Sequence, residues 1–165
     1  MFTTIEAFVA EWESEARLTE RVLNVLTDES LRQEISPGRR TLGGLAWHLV
    51  GSLRFMASLG LPIEGADDDR EAPTRASGIA EAYRSMSAAV LRAVRSEWND
   101  GRLSEKQTVM GAEWRNGDSL RFCLMHQAHH RGQMTVLMRQ AGLRPPEIYG
   151  PTYEAWIDRG MAPLA

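Results

Sequence analysis

The strongest constraint on this chain is a period. Apolar residues recur at spacings of three and four through four long segments, the spacing that collects side chains on one face of an α-helix. Over residues 4–27 the stripe is Ile5, Phe8, Val9, Trp12, Ala16, Val22, Leu23 and Leu26. Over 41–59 it is Leu42, Leu45, Ala46, Leu49, Leu53 and Met56, and over 77–98 it is Ile79, Tyr83, Met86, Val90, Val94 and Trp98. The fourth segment, 119–141, is apolar around more than half its circumference (Leu120, Phe122, Leu124, Met125, Val136, Leu137, Met138) and is expected to be the most buried. No convincing strand and no internal repeat is legible between them.

Punctuation divides these helices. Thr3 and Glu6 have the spacing of a capping box at the first. Ser36-Pro37-Gly38 marks a break before the second. Gly43-Gly44 in that helix's first turn is locally unfavourable and points to a close backbone approach. Residues 60–75 read as a loop crossing one end of the molecule. Residues 99–117 read as a second irregular connection, with Gly111, Trp114 and the turn signal Asn116-Gly117. Asp118 stands where an N-cap belongs and Gly142 where a C′ glycine belongs. A stiff tail, Pro145 to Pro151, precedes a short helix through Trp156. The expected architecture is one all-α domain over residues 1–165, a four-helix bundle with long crossover connections and a short C-terminal helix.

Composition removes several functions. The single cysteine, Cys123, excludes an internal disulfide and favours a reducing compartment. No apolar run approaches the roughly 18 residues a membrane span needs, and the first residues carry neither a basic nor an apolar leader region. A cytoplasmic protein without a membrane partner is expected. Of 19 basic residues only Lys106 is lysine, and the arginines are interleaved with 22 carboxylates for a net charge of −3. A nucleic-acid binder gathers such residues into a basic face, so no nucleic-acid partner is expected.

The chemistry lies in four histidines. His126 and His130 are four residues apart on the fourth helix and therefore share a face. His48 from the second helix can supply a third nitrogen. Three neutral imidazoles plus an open position is a recurrent arrangement for catalytic zinc. Side by side in an apolar helix without a common ligand, such imidazoles would leave donors or acceptors unpaired at about 1–3 kcal/mol each. His129 points about 100° away and suits packing or an outer role. Gln133 stays on the ligand stripe, to hold a water or substrate or to satisfy a core hydrogen bond. Cys123, one turn before His126, is a soft ligand or a small buried hydrophobe. Glu113 is a general base, a fourth ligand or a surface salt bridge. Arg115, Arg131 and Arg139 are candidates for an anionic group, with solvated helix faces as the plainer reading.

These residues also carry a resemblance. His126-Gln127-Ala128-His129-His130-Arg131-Gly132-Gln133, followed by Leu137 to Gly142, resembles the H-x-x-H-H-R-G-Q signature of the DinB family. Thr41-Leu42-Gly43-Gly44-Leu45-Ala46-Trp47-His48-Leu49 resembles that family's second-helix histidine motif, although the family often has a polar residue near the Gly43-Gly44 position. The tail through Pro145-Pro146, Tyr149-Gly150-Pro151 and Trp156 is similar to its usual ending.

The resemblance implies a DinB/YfiT-like bundle, often a homodimer, with a divalent metal on His48, His126 and His130. Zinc is the first expectation, with nickel, iron and manganese as alternatives. The implied activity is that of a metal-dependent enzyme on a small molecule, either an S-transferase with a low-molecular-weight thiol cosubstrate or a hydrolase. Gln133 and Glu113 are the candidate catalytic residues. The alternative is a non-catalytic metal-binding module of a stress response.

Overall fold

The computed structural model describes residues 1–66 and 71–163. Four long helices form the bundle: α1 (Ile5–Leu23), α2 (Leu42–Leu53), α3 (Ala76–Glu97) and α5 (Asn116–Gln140). A short α4 (Asp100–Ser104), an antiparallel hairpin of β1 (Lys106–Val109) and β2 (Ala112–Arg115), and α6 (Tyr153–Asp158) complete the chain. A short 3₁₀ segment, Ser30–Arg32, precedes α2, and a second, Arg54–Leu59, continues it.

The apolar stripes do what their spacing demands. Phe8, Trp12, Val22, Leu42, Leu49, Leu53, Ile79, Tyr83, Val90, Leu120 and Met138 lie in one continuous core. Trp12 buries its indole there because its Nε1–H donates to Ser87 Oγ at 3.0 Å. Helix α1 packs against α3 and α5, and α2 packs against the same two. Helices α1 and α2 therefore face each other across one diagonal of the bundle, and α3 and α5 across the other. The segments 24–41 and 98–115 make the diagonal crossovers, and 54–75 joins the adjacent pair α2 and α3.

Several local expectations shift. The N-cap of α1 is Thr4, whose hydroxyl accepts from Ala7 N–H at 3.2 Å, so the Thr3–Glu6 box is displaced by one residue. Residues 54–59 leave α-helix geometry for 3₁₀. The 60–75 connection is a loop wherever it is described, with Leu61 and Ile63 turned into the core; its residues 67–70 lie outside the described residues. The connection after α3 is not irregular: it holds α4 and the hairpin, reversed at Met110-Gly111, where φ is 51° and 81°.

Asn116-Gly117 is no turn but the buried start of α5. Asn116 is fully buried because its Nδ2 donates to Arg102 O at 2.9 Å and its Oδ1 accepts from Gln107 Nε2 at 2.7 Å. Asp118 lies within the first turn of α5 rather than at its cap. The helix does end at Gly142, with φ of 75° and Leu143 N–H donating to Met138 O at 2.8 Å. Along α5 the apolar surface exceeds what the core can cover, so Phe122, Met125 and Val136 are exposed.

Candidate metal centre

His48 from the middle of α2 and His126 and His130 from the middle of α5 meet where these two helices pack. Their closest approaches are between Nε2 atoms, 3.4 Å from His48 to His126 and 3.1 Å from His126 to His130. The ring planes stand at 67° to 88° to one another, so the edges converge and the faces do not stack. The vertical spacing on α5 is helical geometry alone, one turn between residues four apart. The lateral spacing is set by Gln127, which is buried between the helices and donates to Leu49 O at 3.0 Å and Ser52 Oγ at 2.8 Å.

Each imidazole is biased toward its neutral form. Burial pulls the His48 pKa down to about 4, helped by the nearby His130, Arg40 and His126. Burial likewise lowers His126, with His130, His129 and Arg40 adding to it. Burial lowers His130 too, opposed in part by its bond to Gln133. His130 Nδ1 lies 2.7 Å from Gln133 Oε1, an amide oxygen that only accepts. The proton therefore resides on Nδ1, and the inward Nε2 presents a lone pair.

Three such nitrogens cannot satisfy one another. His126 Nε2 has one in-plane site: as an N–H it donates to only one neighbour, and as a lone pair it faces the lone pair of His130, so one of the two contacts is always left without a hydrogen bond. A cation between them removes the conflict. Nitrogens held about 2.0–2.1 Å from one ion stand about 2.8–3.4 Å apart at octahedral to tetrahedral angles, and the two contacts here are 3.1 and 3.4 Å. The donor set fits a divalent ion of the zinc–nickel–iron class.

The other sequence candidates divide. Gln133 sits against His130 and orients it. His129 is exposed and packs its ring edge-on to His130 at 4.9 Å. Cys123 is buried at 5% exposure, and burial pushes its thiol up to about 12, which keeps it a hydrophobe. Glu113 lies on the outer face of β2, ion-paired with Lys106 Nζ at 3.2 Å, and does not join the histidine cluster.

The three sequence-flagged arginines are engaged elsewhere. Arg139 pairs with Glu154, and Arg115 Nη1 lies 3.5 Å from Met1 Sδ. Arg131 overturns the solvated reading: it is 1% exposed, with its guanidinium on Glu15, Thr19 and Tyr149. It ties α5 to α1 and to the tail.

Two features escaped the sequence. An aromatic wall closes one side of the site: Phe122 lies 5.8 Å from the His126 ring and 5.3 Å from Trp114 of β2. On another side a cleft of about 560 Å³ opens against His130 and Gln133, lined also by Arg39, Arg40 and Leu137.

A family model described as the DinB family matches residues 1–161. The chain belongs to the DinB family. This DinB protein is 45% identical over 162 residues to the uncharacterized protein YrdA of Bacillus subtilis strain 168, covering 98% of this chain and 97% of YrdA. A DinB-like protein of Bacillus cereus ATCC 10987, solved by crystallography, superposes with a TM-score of 0.85 at 46% identity, over 90% of this chain and all of that one. A second DinB-like protein, YjoA of B. subtilis, shares the fold at a TM-score of 0.68 and 16% identity, over 89% of this chain and 97% of that chain.

Proposed function

We propose that this DinB-family protein is a metal-dependent enzyme acting on a small molecule, with His48, His126 and His130 as the metal ligands. One observation carries the reading: three imidazole nitrogens biased toward neutrality converge within 4.8 Å, two of the pairs at coordination spacing, and among the described residues no cysteine or carboxylate completes the set. Three protein ligands with an open position is the pattern of catalytic rather than structural sites. Bound there, a divalent ion supplies Lewis acidity and lowers the pKa of a thiol or a water, which serves S-transfer and hydrolysis alike.

The chain's own residues do the rest. Gln133 keeps the His130 proton on Nδ1 and so keeps Nε2 available. Gln127 holds α2 at the distance from α5 that brings His48 into the set. Phe122, edge-on to Trp114, packs against the His126 ring. The cleft beside His130 is within the roughly 300–1,000 Å³ range of small-molecule sites.

Elemental mass spectrometry on tag-free protein purified without chelator tests the reading, with His130→Ala in parallel. About one equivalent of divalent metal per chain, lost in the variant, is the expected result; the loaded protein is then assayed with thiols plus electrophiles and with ester substrates. Protein that stays folded, carries no metal and cannot be reloaded refutes it.

A further inference from the structure

The loop before α2 folds back on itself along one side of the cleft. At its base Glu34 and Thr41 form an antiparallel bridge, and Leu42 N–H donates to Gln33 O at 2.8 Å. Inside it Gly38, at φ of 72°, makes the reversal, and its N–H donates to Glu34 Oε2 at 3.2 Å. Six residues, 35–40, are thus held as a short arch. Ile35, Ser36, Arg39 and Arg40 of that arch line the cleft that has His130 and Gln133 on its other wall.

Arg40 is seated by a glycine. A Cβ on Gly44 would meet Arg40 Cγ at 3.0 Å, so the bare backbone of α2's first turn is what lets the arginine stem lie against it. Gly44 is one turn before His48 on the same face. The stem therefore runs along the side of α2 that carries the metal-site histidine. The Arg40 charge reaches all three imidazoles, disfavouring their protonation.

Among the described residues the two cleft arginines form no ion pair. Among the described residues no aspartate or glutamate lines the cleft, and two arginines do. Arg84, Arg92, Arg95 and Arg144 each meet a carboxylate, whereas Arg39 and Arg40 meet none among the described residues. The remaining wall is apolar: Leu45, Val136 and Leu137, with Ile35 at the rim. Two fork-shaped cations facing an apolar strip match an amphipathic anion, because guanidinium pairs bidentately with carboxylate or phosphate.

We propose that this cleft binds a small organic anion with an alkyl or aryl body, its acidic head held by Arg39 and Arg40, its body against Leu45, Val136 and Leu137, and its reacting group delivered beside His130. The proposal names the substrate class for the metal-site reading given above and rests on it for the last clause only. The anion contacts use side chains that are present whether or not a metal is bound.

Amide NMR titrations test it, with octanoate, octyl phosphate and 1-octanol as probes, on both the metal-free and the zinc-loaded chain. The expected result is that both anions shift amides of the 35–40 arch and of α5 near Leu137 in both forms, and bind at least about tenfold more tightly than octanol. The Arg39→Gln/Arg40→Gln double variant loses that advantage, the Arg39→Lys/Arg40→Lys variant keeps most of it, and octanol is unaffected by either. The tighter of octanoate and octyl phosphate identifies the head group. Anion binding no tighter than octanol, or binding that survives the Gln double variant, overturns the proposal. Zinc stoichiometry is measured on the same samples. A chain that takes up no zinc yet binds anions through these arginines refutes the metal reading and leaves the anion site standing.

Discussion

The tautomer lock on His130 gives the sharpest test of the metal centre. Gln133→Leu leaves the three histidines in place and removes only the oxygen that holds the Nδ1 proton, 2.7 Å away. Without that acceptor the imidazole can carry its proton on Nε2, the nitrogen that faces His126, and ion binding must then reverse the tautomer. A protein hydrogen bond contributes about 0.5–1.5 kcal/mol net, and outer partners of metal-bound histidines account for about 10–100-fold in affinity. Gln133 is on the exposed side of α5, so water replaces part of the lost bond and the lower end applies. The expected loss is about tenfold in zinc affinity, or about 1.4 kcal/mol, measured near neutral pH by competition with a chromophoric chelator. Gln133→Glu supplies a charged acceptor and should tighten binding by a similar factor. If both variants stay within about twofold of wild type, Gln133 does not set the state of His130 and the proton assignment at the site is wrong.

Three further outcomes follow from the packing. Arg131→Ala strips a guanidinium that is 1% exposed from Glu15, Thr19 and Tyr149, and should cost about 3–5 kcal/mol in urea unfolding; a loss below about 1 kcal/mol would mean the buried pair is incidental. Gly117→Ala places a Cβ 2.3 Å from Phe2 O and should detach Phe2 from its seat on Phe8, costing about 2–4 kcal/mol, with the Phe2 amide losing exchange protection. The metal-free protein should lose stability as pH falls from about 6.5 toward about 4: over that window the unfolded chain binds a proton at His48 and the folded chain, whose His48 pKa is depressed to about 4, does not. Denaturant midpoints unchanged across that interval would contradict the neutral state assigned to the imidazoles.

The helices were legible because burial on one face imposes a period that sequence preserves. Phe8, Trp12, Leu49, Leu53, Ile79 and Val90 each lie in the core at their expected stripe positions. The hairpin was not legible. Its turn is Met110-Gly111 rather than an Asn-Gly pair, and strands of four residues show too few alternations to stand out. Asn116-Gly117 misled for the converse reason, since turn-forming residues can start a helix when neighbouring backbone occupies their polar groups.

At the site, the i, i+4 pair and the lone histidine of α2 could be read from spacing. The arginines could not. Whether a helical arginine faces water or a buried carboxylate depends on what another segment lays over it, and Arg131 is covered by α1 and Tyr149. Arg40 matters through a loop folding back on Gly44, a contact no periodicity encodes.

The three nitrogens form a triangle with one side within a helix and two sides between helices. The His126–His130 edge joins two side chains one turn apart on a single helix, so the backbone fixes their roots and only side-chain rotation changes it. The His48–His126 edge spans two helices, and its length is governed by the Gln127 amide wedged against Leu49 and Ser52. Residues 127 and 52 touch no donor nitrogen, so substitutions there would alter the spacing of His48 from α5 while the three imidazoles stay the same.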